Sequence, residues 1–289
     1  MLPRHTREFA FTWADFTALR KLVETHAGIA VADAKFEMFY ARLARRLRAL
    51  GLTDFKDYLE RLRADDGQEL VELINAITTN LTGFFREPHH FDFLAKHLIP
   101  IWAARPGVPL RIWSAGCSTG QEPYTIALVL LESLPDAGTR DLRVLATDLD
   151  TQALAAAAAA VYPTAGMGRL AQWPWRRWVL RGQGTQEGHI RLRPEVRALV
   201  HLRRLNLIGD WPLQHRYDAI FCRNVMIYFD AATKRTLVDR LADRLTEQGH
   251  LFLGHAESLI GTTKRLRPVA RTVYALAEVE PASSRFPPR

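Results

Sequence analysis

Cysteine is almost absent: the 289 residues contain two, Cys117 and Cys222, each in an apolar, strand-like stretch. That scarcity excludes a disulfide framework, and neither cysteine has the partners of a structural zinc site or of a nucleophilic triad. A reducing, cytoplasmic setting is expected. Long apolar runs are missing too. The longest, Ile126 to Leu131, is far short of the roughly 18 residues that a membrane span requires, so no direct membrane insertion is expected. Met1-Leu2-Pro3-Arg4-His5 has none of the apolar core of a secretory signal. No glycine-lysine-serine/threonine ends a phosphate loop, because Gln121-Glu122 follows Gly120. No long heptad seam and no internal repeat occur, and a monomer is expected. The alanines from Ala155 to Ala160 favour helix and imply nothing more.

What is present begins with charge. Lys and Arg number 39 against 31 Asp and Glu, giving +8. A positive surface attracts nucleic acid, anionic membrane or acidic protein alike, so the sign alone does not select a partner. Hydrophobic residues make up 48% and charged residues 24%, the balance of a globular chain with room for two domains.

The first 76 residues read as helices. Thr12 or Asp15 can cap a helix ending near Gly28, and Asp33 can cap a second. In the second, Phe36, Phe39, Leu43, Leu47 and Leu50 recur at three- and four-residue spacing until Gly51. Helices over Asp54–Arg63 and Gln68–Ala76 complete a bundle. Residues 77–107 form a linker with a helix from Pro88 to about Ala104, broken at Arg105-Pro106-Gly107. From 108 to 279 strands and helices alternate: strand Leu110–Ala115, turn Gly116–Gln121, helix Glu122–Leu134, strand Leu142–Leu149 and helix Thr151–Val161. Strands over Val200–Leu207 and Tyr217–Cys222, a helix over Thr233–Leu245, and strands over His250–Gly254 and Thr272–Leu276 follow. This predicts an α/β fold: an N-terminal helical domain, then a doubly wound Rossmann-like domain. Residues 162–197 interrupt the rhythm as a small antiparallel β insertion, with a glycine-rich hairpin over Arg181–Arg193. The tail 280–289, rich in proline and serine, is expected to be disordered.

Gly116 and Gly120 bracket a strand-to-helix turn where a backbone can approach a ligand. Glu122 in that turn disfavours phosphate and suits a cationic ligand, and Asp148 ends the next strand where such folds place an acid against ribose hydroxyls. The other reading of the turn is a tight corner with Glu122 favouring the helix N-terminus. His89, His90, His97 and His255 lack the spacing of a metal site, and no metal is expected.

Three blocks carry a family resemblance: Thr78-Thr79-Asn80-Leu81-Thr82-Gly83-Phe84-Phe85-Arg86-Glu87, Trp113 to Tyr124, and Asn224-Val225-Met226-Ile227-Tyr228-Phe229-Asp230. In this order they resemble the chemotaxis receptor methyltransferases, over about Trp13 to Leu276. The resemblance implies transfer of a methyl group from S-adenosylmethionine to receptor glutamates, with S-adenosylhomocysteine as product. It implies cofactor contacts at Asn80, Thr82, Arg86, Glu122, Asp148, Asn206, Leu207, Arg223 and Asn224. Gln121 stands where the family usually has glutamate, and Thr125 where it usually has serine. Arg86 is expected to hold the acceptor carboxylate, which its planar fork matches, and Tyr228 to line the reaction centre.

The resemblance also implies docking on the cytoplasmic region of a methyl-accepting chemoreceptor through Arg42, Arg45 and Arg46. A run of charge like this is otherwise simply a solvated helix face. Gly182, Gly184 and Gly188 match a family loop that captures the receptor's C-terminal peptide by strand addition; an ordinary glycine-rich turn is the alternative. Two other functions are open: a nucleic-acid methyltransferase and a non-catalytic cofactor-binding scaffold. The Asn/Asp-Pro-Pro-Tyr/Phe signature of amino methyltransferases is absent, so no nucleic-acid partner is expected. Arg86, Glu122, Asp148, Asn224 and Tyr228 are all present, against a degenerate site.

Overall fold

A computed structural model describes residues 7–172 and 174–277; the expected disordered tail at 280–289 lies outside them. Four helices come first: α1 (Trp13–Ala27), α2 (Phe36–Leu50), α3 (Phe55–Ala64) and α4 (Gln68–Ile77). Thr12 and Asp15 cap α1 together, each side chain accepting from the other's backbone N–H, and Gly28 closes it at φ 69°. The apolar stripe of α2 is buried at Phe39, Leu43 and Leu47, where it meets Phe16, Phe55 and Leu73 in a core separate from the rest of the molecule. Asp33 does not cap α2. It opens a 3₁₀ turn over Asp33–Lys35 and pairs with Arg20 at 2.6 Å.

The helix expected from Pro88 to Ala104 is broken into α5 (His89–Phe93), a π-helical turn (Leu94–Leu98) and α6 (Ile99–Ala103). Pro100 has no N–H for the carbonyl four residues earlier, so regular α-helix cannot run unbroken through it.

Strands β1 (Leu110–Ala115) and β2 (Leu142–Asp148) flank α7 (Gln121–Ser133), and α8 (Thr151–Ala159) leads into β3 (Val161–Pro163). Then come β4 (Val179–Arg181), β5 (His189–Leu192), α9 (Pro194–Ala198), β6 (Val200–Arg204), β7 (Tyr217–Cys222), α10 (Ala231–Asp243), β8 (Leu245–Leu253), β9 (Leu266–Ala270) and β10 (Val273–Leu276). The large sheet has the order β6-β2-β1-β7-β8-β10-β9, parallel from β6 to β8 and antiparallel at β10 and β9. One apolar core, including Leu128 and Leu94, covers one face, and a second, including Leu241 and Trp211, covers the other.

The expected hairpin is present. β4 and β5 pair antiparallel, with β3 on the far side of β5, so β4 is an edge of this small sheet. The loop's glycines have backbone reasons of their own. A Cβ on Gly182 would lie 1.9 Å from the Gln186 carbonyl oxygen, and Gly184 and Gly188 sit at φ 58° and 79°.

β6 stops at Arg204 rather than Leu207, β8 begins at Leu245 rather than His250, and β9 and α9 were not foreseen. β9 carries Pro268, which suits only an edge strand, and β9 is the sheet's edge.

Candidate active site

The strand order reverses between β1 and β7, so loops leaving those strands diverge and open a crevice at the carboxyl ends. A cleft open to solvent lies there, with about 1080 Å³ of space when its open mouth is counted. Asn80, Thr82, Arg86, Glu122, Asp148, Asn206, Leu207, Arg223, Asn224 and Tyr228 all line it. The sequence scatters these residues over five segments, and the fold brings them to one cavity. Ala27, the last residue of α1, and Ile29 just beyond it line it as well and were not anticipated.

Close packing forms the floor. Gly116 sits at φ 87°, and a Cβ there would lie 2.4 Å from Val225. Asp148 accepts from the N–H of Ser118 at 2.7 Å and of Asp150 at 2.9 Å. Each of its oxygens thus keeps a lone pair for a ligand hydroxyl. Burial raises its carboxyl above the usual range, against these backbone donors.

The segment after α4 roofs the cleft, and side chains from three elements hold it. Thr78 and Asn80 donate to Asp150 at 2.6 and 2.7 Å, and Ser118 donates to the Asn80 amide oxygen at 3.0 Å. From α2, Arg42 donates to the carbonyls of Ile77 and Thr78 at 2.6 and 2.7 Å and to the Thr79 hydroxyl at 3.1 Å. Arg46 grips the buried Glu69 with two hydrogen bonds of 2.7 and 2.6 Å. The free cationic face expected at Arg42, Arg45 and Arg46 is therefore not what folds. α4 lies along α2 and engages two of the three arginines, and Arg45 alone of them is exposed.

Buried charge sits at the centre. Glu122 accepts from the Ser114 hydroxyl at 2.7 Å and from Arg223 at 2.9 Å. Burial pushes the Glu122 carboxyl up, while the Arg223 charge opposes that shift. Arg223 also lies 3.4 Å from Glu87 and donates to the Arg86 carbonyl. Arg86 has a different environment: its guanidinium donates to the Leu81 carbonyl at 2.7 Å and, among the described residues, has no carboxylate partner.

Glu87 went unnoticed in the sequence. It sits at φ 56°, accepts from the backbone N–H of His255 at 3.3 Å and lies 2.9 Å from that residue's ring Nδ1. Burial raises its carboxyl, but His255 and the Arg223 charge outweigh that and hold it at about 2. Glu87, His89 and His90 bring ligand-type atoms within 4.8 Å of one another, a grouping the spacing of the histidines did not suggest. The same carboxylate already faces Arg223, and His90 bonds to Thr272 at 2.8 Å.

A Rossmann-like sheet with its cleft at the switch point, glycines under it and an acid at the end of the second strand is the frame of an adenosyl-cofactor site, and the family match makes the class an S-adenosylmethionine-dependent methyltransferase. The family model described as "CheR methyltransferase, SAM binding domain" matches residues 80–275, and that described as "CheR methyltransferase, all-alpha domain" matches residues 14–78. The chain belongs to the CheR methyltransferase family, and its cofactor is S-adenosylmethionine. It is 42% identical over 277 residues to chemotaxis protein methyltransferase 2 of Pseudomonas aeruginosa, covering 94% of this chain and 96% of that one. It is 41% identical over 280 residues to the chemotaxis protein methyltransferase of Escherichia coli, covering 96% of each. The glycopeptide N-methyltransferase MtfA, solved with sinefungin, matches 61% of this chain and 56% of that chain with a TM-score of 0.32 and 19% identity. The activity is S-adenosylmethionine-dependent methylation in chemotaxis. No helix among the described residues is long and apolar enough to cross a membrane.

Proposed function

We propose that the methyl acceptor is the side-chain carboxylate of glutamates in the cytoplasmic region of a methyl-accepting chemoreceptor, and that the protein works in the cytoplasm as a monomer. One observation carries this reading. Of the two guanidinium groups in the cleft, Arg223 is balanced by Glu122 and Glu87, whereas Arg86 has no acid partner among the described residues. A planar fork left free in a cleft suits an incoming carboxylate.

The bound cofactor supplies an electrophilic methyl group on a sulfonium. A glutamate carboxylate is ionised at neutral pH, so the residues need not remove a proton. Their work is to orient the acceptor and exclude water. Arg86 holds the carboxylate. The Tyr228 hydroxyl, which bonds to no described residue, aligns it from the β7 side. Asp148 is suited to the ribose hydroxyls, Asn206 and Leu207 to the adenine side, and Glu122 with Asn80, Thr82 and Asn224 to the methionine end.

Docking is assigned to two places. Arg45, exposed on α2, meets the acidic methylation region and speeds encounter. The open edge of β4, beside the loop with Gly182, Gly184 and Gly188, takes a receptor C-terminal peptide as an added strand. Such tethering raises the local concentration of enzyme near many acceptor sites.

Labelled S-adenosylmethionine offered with a chemoreceptor cytoplasmic fragment, DNA and RNA in parallel tests this reading. Label in the receptor fragment alone is expected. Label in nucleic acid, or in none of the three, overturns it.

A further inference from the structure

The loop from Arg223 to Tyr228 carries four cleft residues, Arg223, Asn224, Val225 and Tyr228, and its backbone is not a relaxed one. Asn224 lies in the left-handed region at φ 59°, where a side chain is disfavoured unless its surroundings fix it. Glu87 accepts from the Asn224 side-chain amide at 3.4 Å, and the Asn224 backbone is fixed by a carboxylate on a different loop. Glu257, four residues beyond the end of β8 and only 6% exposed, accepts three backbone N–H groups. Its Oε2 accepts from Asn224 at 2.8 Å and from Gly254 at 2.7 Å, and its Oε1 accepts from Met226 at 2.7 Å. Gly254 is obligatory here, since a Cβ would lie 2.8 Å from the Asn224 backbone nitrogen, 2.4 Å from its side-chain Nδ2 and 2.9 Å from Glu257 Oε2.

Three converging N–H groups make a concavity that attracts an anion, and Glu257 is the anion the chain itself provides. Charge-assisted bonds of this kind are stronger than neutral ones. The next backbone contacts follow from this anchoring. Once Asn224 and Met226 are held, the 3₁₀ turn over Met226–Tyr228 closes through Tyr228 N–H to the Val225 carbonyl at 3.2 Å. The carbonyl of Tyr228 then accepts from Ala30 at 2.7 Å, joining the loop to the helical domain.

We infer that Glu257 is a positioning residue for methyl transfer: through Asn224 and Met226 it fixes the backbone that presents Tyr228 to the acceptor, while touching neither cofactor nor acceptor itself. The inference rests on the proposed role of Tyr228 in turnover, and its test separates the two.

The variant is Glu257→Gln in the full chain. Glutamine keeps the shape but offers one oxygen, and its amide group turns N–H toward N–H at the second position. In the free enzyme, hydrogen–deuterium exchange of residues 223–229 should quicken about tenfold with residues 110–115 of β1 unchanged. Affinity for S-adenosylhomocysteine should weaken by about threefold by calorimetry, because Asn224 borders the methionine end, while kcat on receptor fragment falls further, by about 30-fold. Tyr228→Phe should lower kcat about tenfold in the parent and less than about twofold in the Glu257→Gln background, because alignment is already lost. Glu257→Asp, which keeps the charge, should recover part of the turnover.

Unchanged exchange in 223–229, or additive effects of the two substitutions, overturns the inference. So does general loosening of the whole domain, or failure of both the Gln and Asp variants to fold, since either assigns Glu257 to stability alone. If the parent enzyme methylates no receptor fragment, the proposed function fails. The exchange and calorimetry arms still decide the anchoring of the loop.

Discussion

Arg223 and Glu122 form a buried ion pair at the centre of the cleft, with Nη1 2.9 Å from Oε2 and side chains 2% and 11% exposed. The pair spans the switch point, since Glu122 lies on the helix after β1 and Arg223 at the end of β7. It divides labour between the two cleft arginines. One is committed to holding the site together, and the other is left for the acceptor.

Replacing Arg223 with Met should therefore weaken the fold as well as the site. It leaves Glu122 buried without its counter-charge, a loss of about 3–5 kcal/mol for a broken buried pair. Urea denaturation followed by tryptophan fluorescence measures it, and a change near zero would show that Glu122 is content as a neutral acid.

Arg86 predicts the opposite pattern. Among the described residues its guanidinium bonds only to the Leu81 carbonyl, so Arg86→Ala should cost little stability. Turnover on receptor fragment should fall about 100-fold through loss of acceptor orientation. Arg86→Lys should recover only a small part, because an ammonium lacks the planar fork. Steady-state kinetics beside a thermal melt distinguishes this from general damage.

On α2 the arginines separate by environment. Arg46→Met should destabilise the helical domain by about 2–4 kcal/mol, since the buried Glu69 loses both close hydrogen bonds and keeps, among the described residues, only Arg61 at 4.0 Å as a cation. Activity per folded molecule should be retained. Arg45→Glu should leave stability unchanged and lower kcat/KM on receptor by about threefold at low salt, with the difference fading as salt rises. Equal effects of Arg45→Glu at low and high salt would remove it from the docking surface.

Acid should loosen the cleft from two sides. Burial and then the charge of Arg223 hold His90 at about 3, below its usual 6.5. The unfolded chain thus takes up this proton at a higher pH than the folded one, and stability falls as pH drops from 6.5 toward 3. Glu87, held at about 2, contributes stability that is complete above about 4.5 and is lost on going down to 2. Between pH 7 and 5 His90 acts and Glu87 does not, and the His90 share is roughly 2 kcal/mol. His89, His201 and His250 are pushed down by burial as well. His90→Gln, which can keep the bond to Thr272, should remove one share of that slope and not all of it. Denaturation at the two pH values tests this, and an unaltered slope would contradict it.

Features set by neighbouring residues were legible before any coordinates. Thr12 and Asp15 at one end of α1, Gly28 at the other and Gly51 after α2 are local signals, and each stands where the pattern put it. The glycine-rich loop between β4 and β5 is local in the same sense. Cleft residues were legible through the family blocks, because the fold needed only to place the ends of successive parallel strands together. What escaped depends on distant partners. Helical spacing puts Arg42 and Arg46 on a polar face, yet only the position of α4 reveals that both are engaged. Glu257 looks like any acid until the fold brings it to the N–H of Asn224, 33 residues away. β9 hides because Pro268 interrupts its alternation, which an unpaired strand edge tolerates.

The central claim concerns the bond formed on the acceptor. Receptor cytoplasmic fragment labelled by the enzyme with methyl-tritiated S-adenosylmethionine should release its label as methanol in mild alkali, with the modified residues mapping to glutamates. Carboxyl esters hydrolyse under those conditions, whereas N-methyl groups do not. Alkali-stable label, or label on any residue other than an acid, would contradict a carboxylate acceptor held by Arg86.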